Sequence, residues 1–184
     1  MKIELLPLEG VALLSPQVFQ DDRGYFVETF NTLKTADSVL ADYEWVQENE
    51  SLSQQAVLRG LHFQKGDAAQ AKLVRVIKGE VFDVMVDLRL SSPTFGKWHG
   101  QVLSGENKLQ LLVPRGFAHG FMVLSESAIF SYKCDNHYNK AEESGILYND
   151  PELSIDWPTI ETPIQLSDKD MQLQSFANSY KFES

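Results

Sequence analysis

The sequence predicts an all-β protein, built as an antiparallel sandwich or barrel with short helices at its periphery. Residues 72–89 contain two runs of strand-like sequence that are joined at Lys78-Gly79-Glu80. Segments 109–113, 121–124 and 128–133 continue the pattern and are separated by prolines and glycines. Short strands at hairpin-like spacing, with few helical stretches between them, are typical of antiparallel sheets.

Within residues 80–89, period-two alternation identifies one face of a strand, since Phe82, Val84, Val86 and Leu88 alternate with residues 83, 85, 87 and 89.

Helices are expected only at the margins of this β region. Residues 31–40 are expected to form a short helix that starts at a capping asparagine or threonine. Near the C-terminus, Ser167 and Asp170 have the spacing of a capping box, which predicts a helix that extends to about Ala177.

Length, charge and composition limit the functions that are expected. The 184 residues predict a single domain, 1–184, large enough to bury a core without metal or disulfide staples. The net charge of −10 argues against a general nucleic-acid or anionic-membrane binder, so an anion would be held by a few local cations. The single cysteine, Cys134, excludes an internal disulfide. Neither a signal peptide nor a membrane-spanning run is recognised, so the expected location is the cytoplasm.

Two of the four histidines lie in glycine-containing segments associated with strands. His119 ends a P-x-G-x-x-H segment, a form that recurs on a barrel strand of the cupin superfamily. Many cupins bind a metal there with two further histidines and a glutamate from an H-x-H…E segment. Here the matching segment reads H-F-Q from His62 to Gln64, and no glutamate follows before Glu80. Because metal sites generally need three or four protein ligands, no metal site is predicted.

With a metal site disfavoured, the sequence predicts a barrel whose mouth contains histidines and cationic side chains but no metal. Such a set suits proton transfer next to a carbonyl, since histidine is a base tuned near neutral pH and a cation stabilises an enolate oxygen. From the residues alone, the alternative is that each histidine is simply packed or on the surface. Spacing alone likewise favours a surface ion pair for Arg23 and ordinary packing for Tyr132. The residues of the proposed mouth are Arg59, His62, Lys72 and His119.

Eight motifs occur in order from Phe19 to about Asp170. They are F-x-D-x-R-G-x-F from Phe19, Q-x-N-x-S-x-S from Gln47, R-G-L-H-x-Q from Arg59, K-L-V-R-V from Lys72, S-P-T-F-G from Ser92, P-x-G-F-A-H-G-F from Pro114, Y-K-C from Tyr132 and D-P from Asp150. Each motif is weak alone. Together and in this order, over nearly the whole chain, they resemble the dTDP-4-dehydrorhamnose 3,5-epimerase family of dTDP-L-rhamnose biosynthesis.

The resemblance implies a homodimeric, metal-independent cupin jelly roll that needs no cofactor. Its expected reaction is epimerisation at C3 and C5 of dTDP-4-dehydro-6-deoxy-D-glucose, which gives dTDP-4-dehydro-L-rhamnose. By resemblance, His62 is the general base and is paired with Asp170, and Tyr132 is the acid that delivers a proton from the opposite face. Lys72 holds the ketone oxygen as negative charge develops.

The resemblance also implies the residues that bind the substrate. Arg23 and Arg59 bind the pyrophosphate, and Tyr138 stacks on the thymine ring. Arg23 and Glu28 lie on an N-terminal segment that can reach into the partner subunit. The remaining binding residues implied in this way are Gln47, Asn49, His119, Glu143 and Lys169.

Three other functions are weighed against this one. A single-site epimerase or a ketoisomerase acting on a related dTDP-4-keto sugar is the closest, because His62, Lys72 and Tyr132 are expected in several such enzymes. A nucleotide-sugar binding module without turnover is disfavoured, since binding alone requires no opposed proton donor and acceptor. A metal-dependent cupin oxygenase is disfavoured by the incomplete set of ligands.

Overall fold

The structure, a computed structural model, describes residues 1–183 and consists mainly of β-strands. The strands are β1 (Lys2–Leu5), β2 (Ala12–Ser15), β3 (Val18–Asp21), β4 (Gly24–Val27), β5 (Gln47–Gln54), β6 (Leu58–Gln64), β7 (Lys72–Lys78), β8 (Glu80–Asp87), β9 (Trp98–Ser104), β10 (Gln110–Val113), β11 (Phe117–Val123), β12 (Ser127–Cys134) and β13 (Glu143–Gly145). The helical elements are α1 (Thr32–Thr35) and three 3₁₀ turns at Gly66–Ala68, Lys140–Glu142 and Asp170–Gln172. Among residues 1–183, no helix is long and apolar enough to cross a membrane.

Two antiparallel sheets make up most of the fold. One has six strands in the order β1-β2-β10-β7-β12-β5, and the other has five in the order β13-β6-β11-β8-β9. Strands β3 and β4 form a separate hairpin. The pairings of these strands are antiparallel. The two predicted strands on either side of Gly79 are β7 and β8, which lie in different sheets, so the turn at Gly79 takes the chain from one sheet to the other. The predicted all-β antiparallel architecture is therefore confirmed.

The main core contains the inward-facing side chains of both sheets. Val74 and Phe130 of the six-stranded sheet pack with Met85 and Phe121 of the five-stranded sheet, and all four are buried. The rings of Phe121 and Phe130 are stacked, with centroids 4.2 Å apart. Burial of each such side chain contributes about 1.5–3 kcal/mol, so this contact helps hold the two sheets together beside the site described below.

The outer face of the five-stranded sheet is also covered. The alternation predicted for β8 is correct, but its apolar face, with Val84 and Val86, packs under C-terminal residues such as Phe176 and Phe182. The opposite face of β8 points to the main core, and it includes Met85 and the fully buried Asp83. A charged residue is thus directed into the interior of the protein.

A β-bulge in β6 has a direct effect on the site. His119 of β11 pairs with His62, whereas Phe121 pairs with Arg59, so β6 has one extra residue between the two pairs. Gly60, in this interval, has φ +114°, and a Cβ there would lie 2.7 Å from the His119 carbonyl oxygen. Such a bulge re-aims neighbouring side chains. As a result, Arg59 and His62 line the same cavity, although strict alternation would place them on opposite faces.

The predicted helix over residues 31–40 is shorter than expected. It covers only Thr32–Thr35, and Asn31 caps it by accepting the backbone N–H of Leu33. The Thr35 hydroxyl donates to the Asn31 carbonyl, and the chain then continues through i→i+3 turns such as Ser38 N–H to Thr35 O. Hydroxyl side chains that compete for backbone groups favour such turns over a longer helix.

The predicted C-terminal helix to Ala177 is wrong, although its capping contacts exist. The Asp170 N–H donates to Ser167 Oγ, but only one 3₁₀ turn follows, Asp170–Gln172. After it the chain is extended beside residue 147, whose N–H donates to the Gln174 carbonyl. The capping-box spacing reflects a local contact that orients Asp170.

Candidate active site

A cavity of about 520 Å³ is lined by both sheets and by residues 165–170. The five-stranded sheet contributes residues from β6 and β11, and the six-stranded sheet contributes residues from β7 and β12. More than half of the site residues expected from the sequence are among its lining residues. These are Arg59, His62, Lys72, His119, Tyr132, Lys169 and Asp170.

His62 is paired with a buried carboxylate on one wall of the cavity. Its Nε2 lies 2.5 Å from Asp170 Oδ1, and Asp170 is only 3% exposed. The second carboxylate oxygen accepts a hydrogen bond from Ser167 Oγ at 2.8 Å. Burial alone would raise the pKa of Asp170, but the hydrogen bonds from His62 and Ser167 outweigh it and lower that pKa. The carboxylate is therefore ionised at neutral pH and can stabilise a protonated imidazole.

A second histidine–carboxylate pair lies on the same sheet. His119 Nε2 is 2.9 and 3.0 Å from the two oxygens of Asp83, and both residues are buried. Burial raises the pKa of Asp83, although His119 and Lys72 oppose this effect. His119 lies within β11 itself. Sequence reasoning missed Asp83, but its position in an otherwise buried, apolar strand was an available signal.

The opposite wall carries Lys72 and Tyr132. The Lys72 Nζ lies 5.9 Å from the centroid of the Tyr132 ring. Burial raises the pKa of Tyr132, so the phenol keeps its proton at neutral pH. Burial lowers the pKa of Lys72, while nearby acidic groups that include Asp83 oppose the shift. This wall therefore combines a neutral proton donor with an amine held in a low-dielectric environment.

Arg59 is oriented by a residue that the sequence analysis did not select. Its Nε donates to the hydroxyl of Ser53, at 2.9 Å. Ser53 is buried on β5 in the opposite sheet. This contact uses one edge of the guanidinium and leaves its terminal nitrogens for an anion.

Several predicted binding residues form a chain of contacts that leads away from the cavity. Lys169, at the cavity wall, forms an ion pair with Glu143, and the Tyr138 hydroxyl donates to Glu143 Oε2 at 2.9 Å. The Tyr138 N–H donates to Gln47 Oε1 at 3.1 Å, and Gln47 Nε2 donates to Asn49 Oδ1 at 3.0 Å. The five residues therefore form one connected strip.

Arg23 and Glu28 are not brought to this cavity within the chain. The Arg23 side chain is 90% exposed and bonds to Asp21 in the β3–β4 hairpin. Glu28 contacts Lys34 and Asn31 instead.

The cavity also contains groups that motif analysis did not predict. Leu58, Phe121 and Phe130 form an apolar part of the wall, and Gln165 and Ser167 also line the cavity. Leu58, Phe121 and Phe130 are apolar strand residues typical of an ordinary core, which explains why the sequence gave no functional signal for them. Within residues 1–183, no three metal-ligating side chains of the His, Cys, Asp or Glu type lie close together.

Fold and site together define a class: a cupin-type barrel enzyme with acid–base groups on opposite walls of its interior. One family profile, described as dTDP-4-dehydrorhamnose 3,5-epimerase, matches residues 5–178. The chain is 50% identical over 182 residues to the dTDP-4-dehydrorhamnose 3,5-epimerase of Shigella flexneri, covering 99% of each protein. It therefore belongs to the dTDP-4-dehydrorhamnose 3,5-epimerase family, and the predicted family and isomerase class are confirmed.

Two further comparisons bear on the fold and on specificity. A crystal structure of dTDP-6-deoxy-D-glucose-3,5-epimerase from Legionella pneumophila, in complex with dTDP-4-keto-L-rhamnose, has a TM-score of 0.95 and 44% identity. The match covers 100% of this chain and 98% of that one, which confirms the predicted cupin-type jelly roll. The dTDP-4-dehydrorhamnose 3-epimerase of Streptomyces niveus is 38% identical, covering 92% of this chain and 81% of that protein.

Proposed function

We propose that this chain inverts C3 and C5 of dTDP-4-dehydro-6-deoxy-D-glucose, with His62 as the base and Tyr132 as the acid. The observation that carries the proposal is the position of these two side chains on different sheets that line one cavity. Inversion of a carbon requires removal of a proton from one face and its return to the other. A base and an acid on opposite walls meet that requirement without rotation of the sugar.

The chemistry depends on the ketone at C4. When His62 takes the proton from C3 or C5, the electron pair of the broken C–H bond moves into the ring and onto the ketone oxygen. The Lys72 ammonium stabilises this enolate oxygen, and its neighbour His119 supports the same site. Tyr132 then donates its phenolic proton to the carbon from the opposite face. The enzyme is left with protonated His62 and a phenolate, so proton exchange with solvent must reset both groups before the next inversion.

The base needs its partner carboxylate. Asp170 occupies Nε2 of His62 and leaves Nδ1 of the ring to accept the substrate proton. The charge of Asp170 stabilises the imidazolium that results, as in other histidine–carboxylate pairs.

The strip beside the cavity provides the nucleotide site in this proposal. Arg59 binds the pyrophosphate with the free edge of its guanidinium. Tyr138 stacks on the thymine ring, and the remaining strip residues hold the nucleoside. These are Gln47, Asn49, Glu143 and Lys169.

The site is completed by a second copy of the chain. Arg23 and Glu28 share no hydrogen bond or ion pair with the other binding residues and do not line the cavity. They lie on or just after a hairpin that exposes Phe19, Tyr25 and Phe26. Adjacent exposed aromatic side chains are typical of an interaction surface. We therefore propose a homodimer in which this hairpin delivers Arg23 and Glu28 to the partner's cavity.

The reaction is tested by incubating the protein with dTDP-4-dehydro-6-deoxy-D-glucose in deuterium oxide and following C3 and C5 by NMR. Deuterium at both carbons, and formation of dTDP-L-rhamnose when a 4-keto reductase is added, is the expected result. Deuterium at one carbon would instead identify a single-site epimerase, the activity that the Streptomyces niveus relative is named for. Absence of deuterium at both would overturn the proposal.

The exchanged hairpin is tested by mixing two inactive variants, Arg23→Ala and His62→Ala. If the hairpin is exchanged, a mixed dimer has one site with both native residues, so mixing restores activity. If each chain uses its own hairpin, mixing restores none.

A further inference from the structure

Tyr138 lies in a loop, residues 135–139, between β12 and the 3₁₀ turn at Lys140–Glu142. Two consecutive backbone N–H groups of this loop donate to glutamine side chains. The Tyr138 N–H donates to Gln47 Oε1 at 3.1 Å, and the Asn139 N–H donates to Gln64 Oε1 at 2.9 Å. Gln47 begins β5 in the six-stranded sheet, whereas Gln64 ends β6 in the five-stranded sheet. The loop is therefore attached to both sheets at the point where Tyr138 emerges.

Gln64 is the less accessible of the two glutamines. It is 5% exposed and is not among the residues that line the reactive cavity, although His62, two positions earlier, is. The amide oxygen is used by the loop, and a buried polar atom of this kind is costly to leave without a partner. The sequence analysis gave Gln64 no role beyond its place in the R-G-L-H-x-Q motif and in an incomplete set of metal ligands, so its contact with the Asn139 N–H assigns it a different use.

The ring of Tyr138 is anchored at the same place. Gln64 is paired across β6 and β13 with Glu143, and Glu143 accepts the hydrogen bond from the Tyr138 hydroxyl. The paired residues Gln64 and Glu143 therefore hold the loop at two points. Gln64 accepts from the backbone of the loop, and Glu143 accepts from the phenol of Tyr138. Tyr138 is nevertheless 51% exposed, so little side-chain packing holds it.

We propose that Gln64 is a positioning residue that holds the Tyr138 loop as a preformed platform for the base of the nucleotide. The inference rests on the proposed function, in which Tyr138 stacks on the thymine ring. A half-exposed ring on a free loop would lose conformational freedom on binding, which weakens affinity. With the loop attached in advance, that loss occurs during folding. Gln64 therefore acts on affinity for the base and not on the proton transfers.

The test is Gln64→Met, which has similar length and no amide acceptor. We expect the Kd for dTDP to rise about 3- to 10-fold, in line with the loss of one hydrogen bond. We expect kcat to stay unchanged and KM to rise. The affinity for inorganic pyrophosphate, which has no base, should also stay unchanged. The control is Gln54→Met at the exposed end of β5, which should alter none of these values. An unchanged Kd for dTDP, or an equal loss for pyrophosphate, would overturn the inference.

A double-mutant cycle separates this inference from the proposed function. If Tyr138→Ala leaves the Kd for dTDP unchanged, the stacking role fails and the positioning role with it. If Tyr138→Ala weakens dTDP binding and Gln64→Met does not, only the positioning role fails. When Gln64 acts through Tyr138, adding Gln64→Met to Tyr138→Ala causes no further loss. A fully additive loss would overturn the inference.

A measurement on the unaltered protein remains decisive if Gln64→Met does not fold. The Asn139 amide should exchange its hydrogen slowly in the absence of ligand, because Gln64 holds it. Exchange at the rate of an unstructured peptide would contradict the anchored loop.

Discussion

Replacement of Asp170 by asparagine tests the base assignment most directly. The side chain keeps its shape, so it can still accept a hydrogen bond from Ser167, but the negative charge next to His62 is lost. The carboxylate is 3% exposed and lies 2.5 Å from His62 Nε2. Water therefore cannot replace the missing charge when the imidazole takes a proton from the sugar.

The size of the effect follows from the type of contact. Hydrogen bonds to charged groups contribute about 1.5–3 kcal/mol, and each 1.4 kcal/mol corresponds to about tenfold in rate. Because the imidazolium forms only after proton abstraction, the loss of Asp170 affects the transition state more than the bound substrate. We therefore expect kcat to fall about 10- to 150-fold at neutral pH, with KM nearly unchanged.

The assay is the rate of deuterium incorporation at C3 and C5 under single-turnover conditions, together with the Kd for dTDP. Asp168→Asn is the matched control, since it removes the same charge two residues away at an exposed position. It should leave the rate within about twofold, because exposed charges contribute little. If Asp170→Asn exchanges deuterium at the native rate, or loses no more than the control, the pairing of His62 with Asp170 has no catalytic role and the base must be sought elsewhere.

Three further outcomes are expected. Tyr132→Phe removes the phenolic proton and should slow epimerisation about 10²- to 10⁴-fold, measured as product formation; native rates at both carbons would contradict the acid role. Gly60→Ala should lower stability by about 1–3 kcal/mol, because its Cβ would lie 2.7 Å from the His119 carbonyl oxygen. A thermal melt compared with Gly66→Ala, also at positive φ but with no atom nearby, checks this. Because contacts in the folded state lower the pKa of Asp170, its stabilising effect is present above the unfolded pKa and is lost as the pH falls through the folded one. Asp170→Asn should therefore reduce the loss of thermal stability on acidification, and an unchanged acid profile would contradict this.

The fold was largely predictable because its strongest signals are local. Strand-like sequence and a glycine turn identify β7 and β8 without reference to any other part of the chain. The sheet that each strand joins is not a local property, and the two strands lie in different sheets. The two helices were overpredicted for the opposite reason. A capping pattern reports only the first turn, while continuation depends on tertiary contacts. The segment after Asp170 is extended because it pairs with residues 146 and 147, which no local pattern encodes.

The candidate site was only partly predictable from the residues themselves. Alternation separates His62 from Arg59, and only the bulge at Gly60 returns them to one cavity. Asp83 was overlooked because the apolar face of β8, with Val84 and Val86, is ordinarily expected to face the main core, which would leave Asp83 exposed to solvent. In the structure, C-terminal residues cover that apolar face instead, and the face with Asp83 points to the main core. The motif resemblance identified residues that spacing could not, among them Tyr138 and Glu143, whose contact crosses from a loop to a short strand.

The interior of this barrel carries charged groups that a purely structural core would avoid. Desolvation of an ionised side chain costs several kcal/mol unless a well-placed partner offsets it, and a matched apolar core is often as stable or more so. Here His119 pairs with Asp83, and His62 pairs with Asp170. Acidic groups near Lys72, Asp83 among them, oppose the lowering of its pKa by burial. Pairing limits the cost without removing it, so folding alone does not account for these residues. The proposed enolate chemistry does, since it uses a base, a cation and an acid in a partly enclosed cavity where their charges are screened less than in water. The two-sheet barrel places these groups around one cavity, with each wall built from the strands of one sheet.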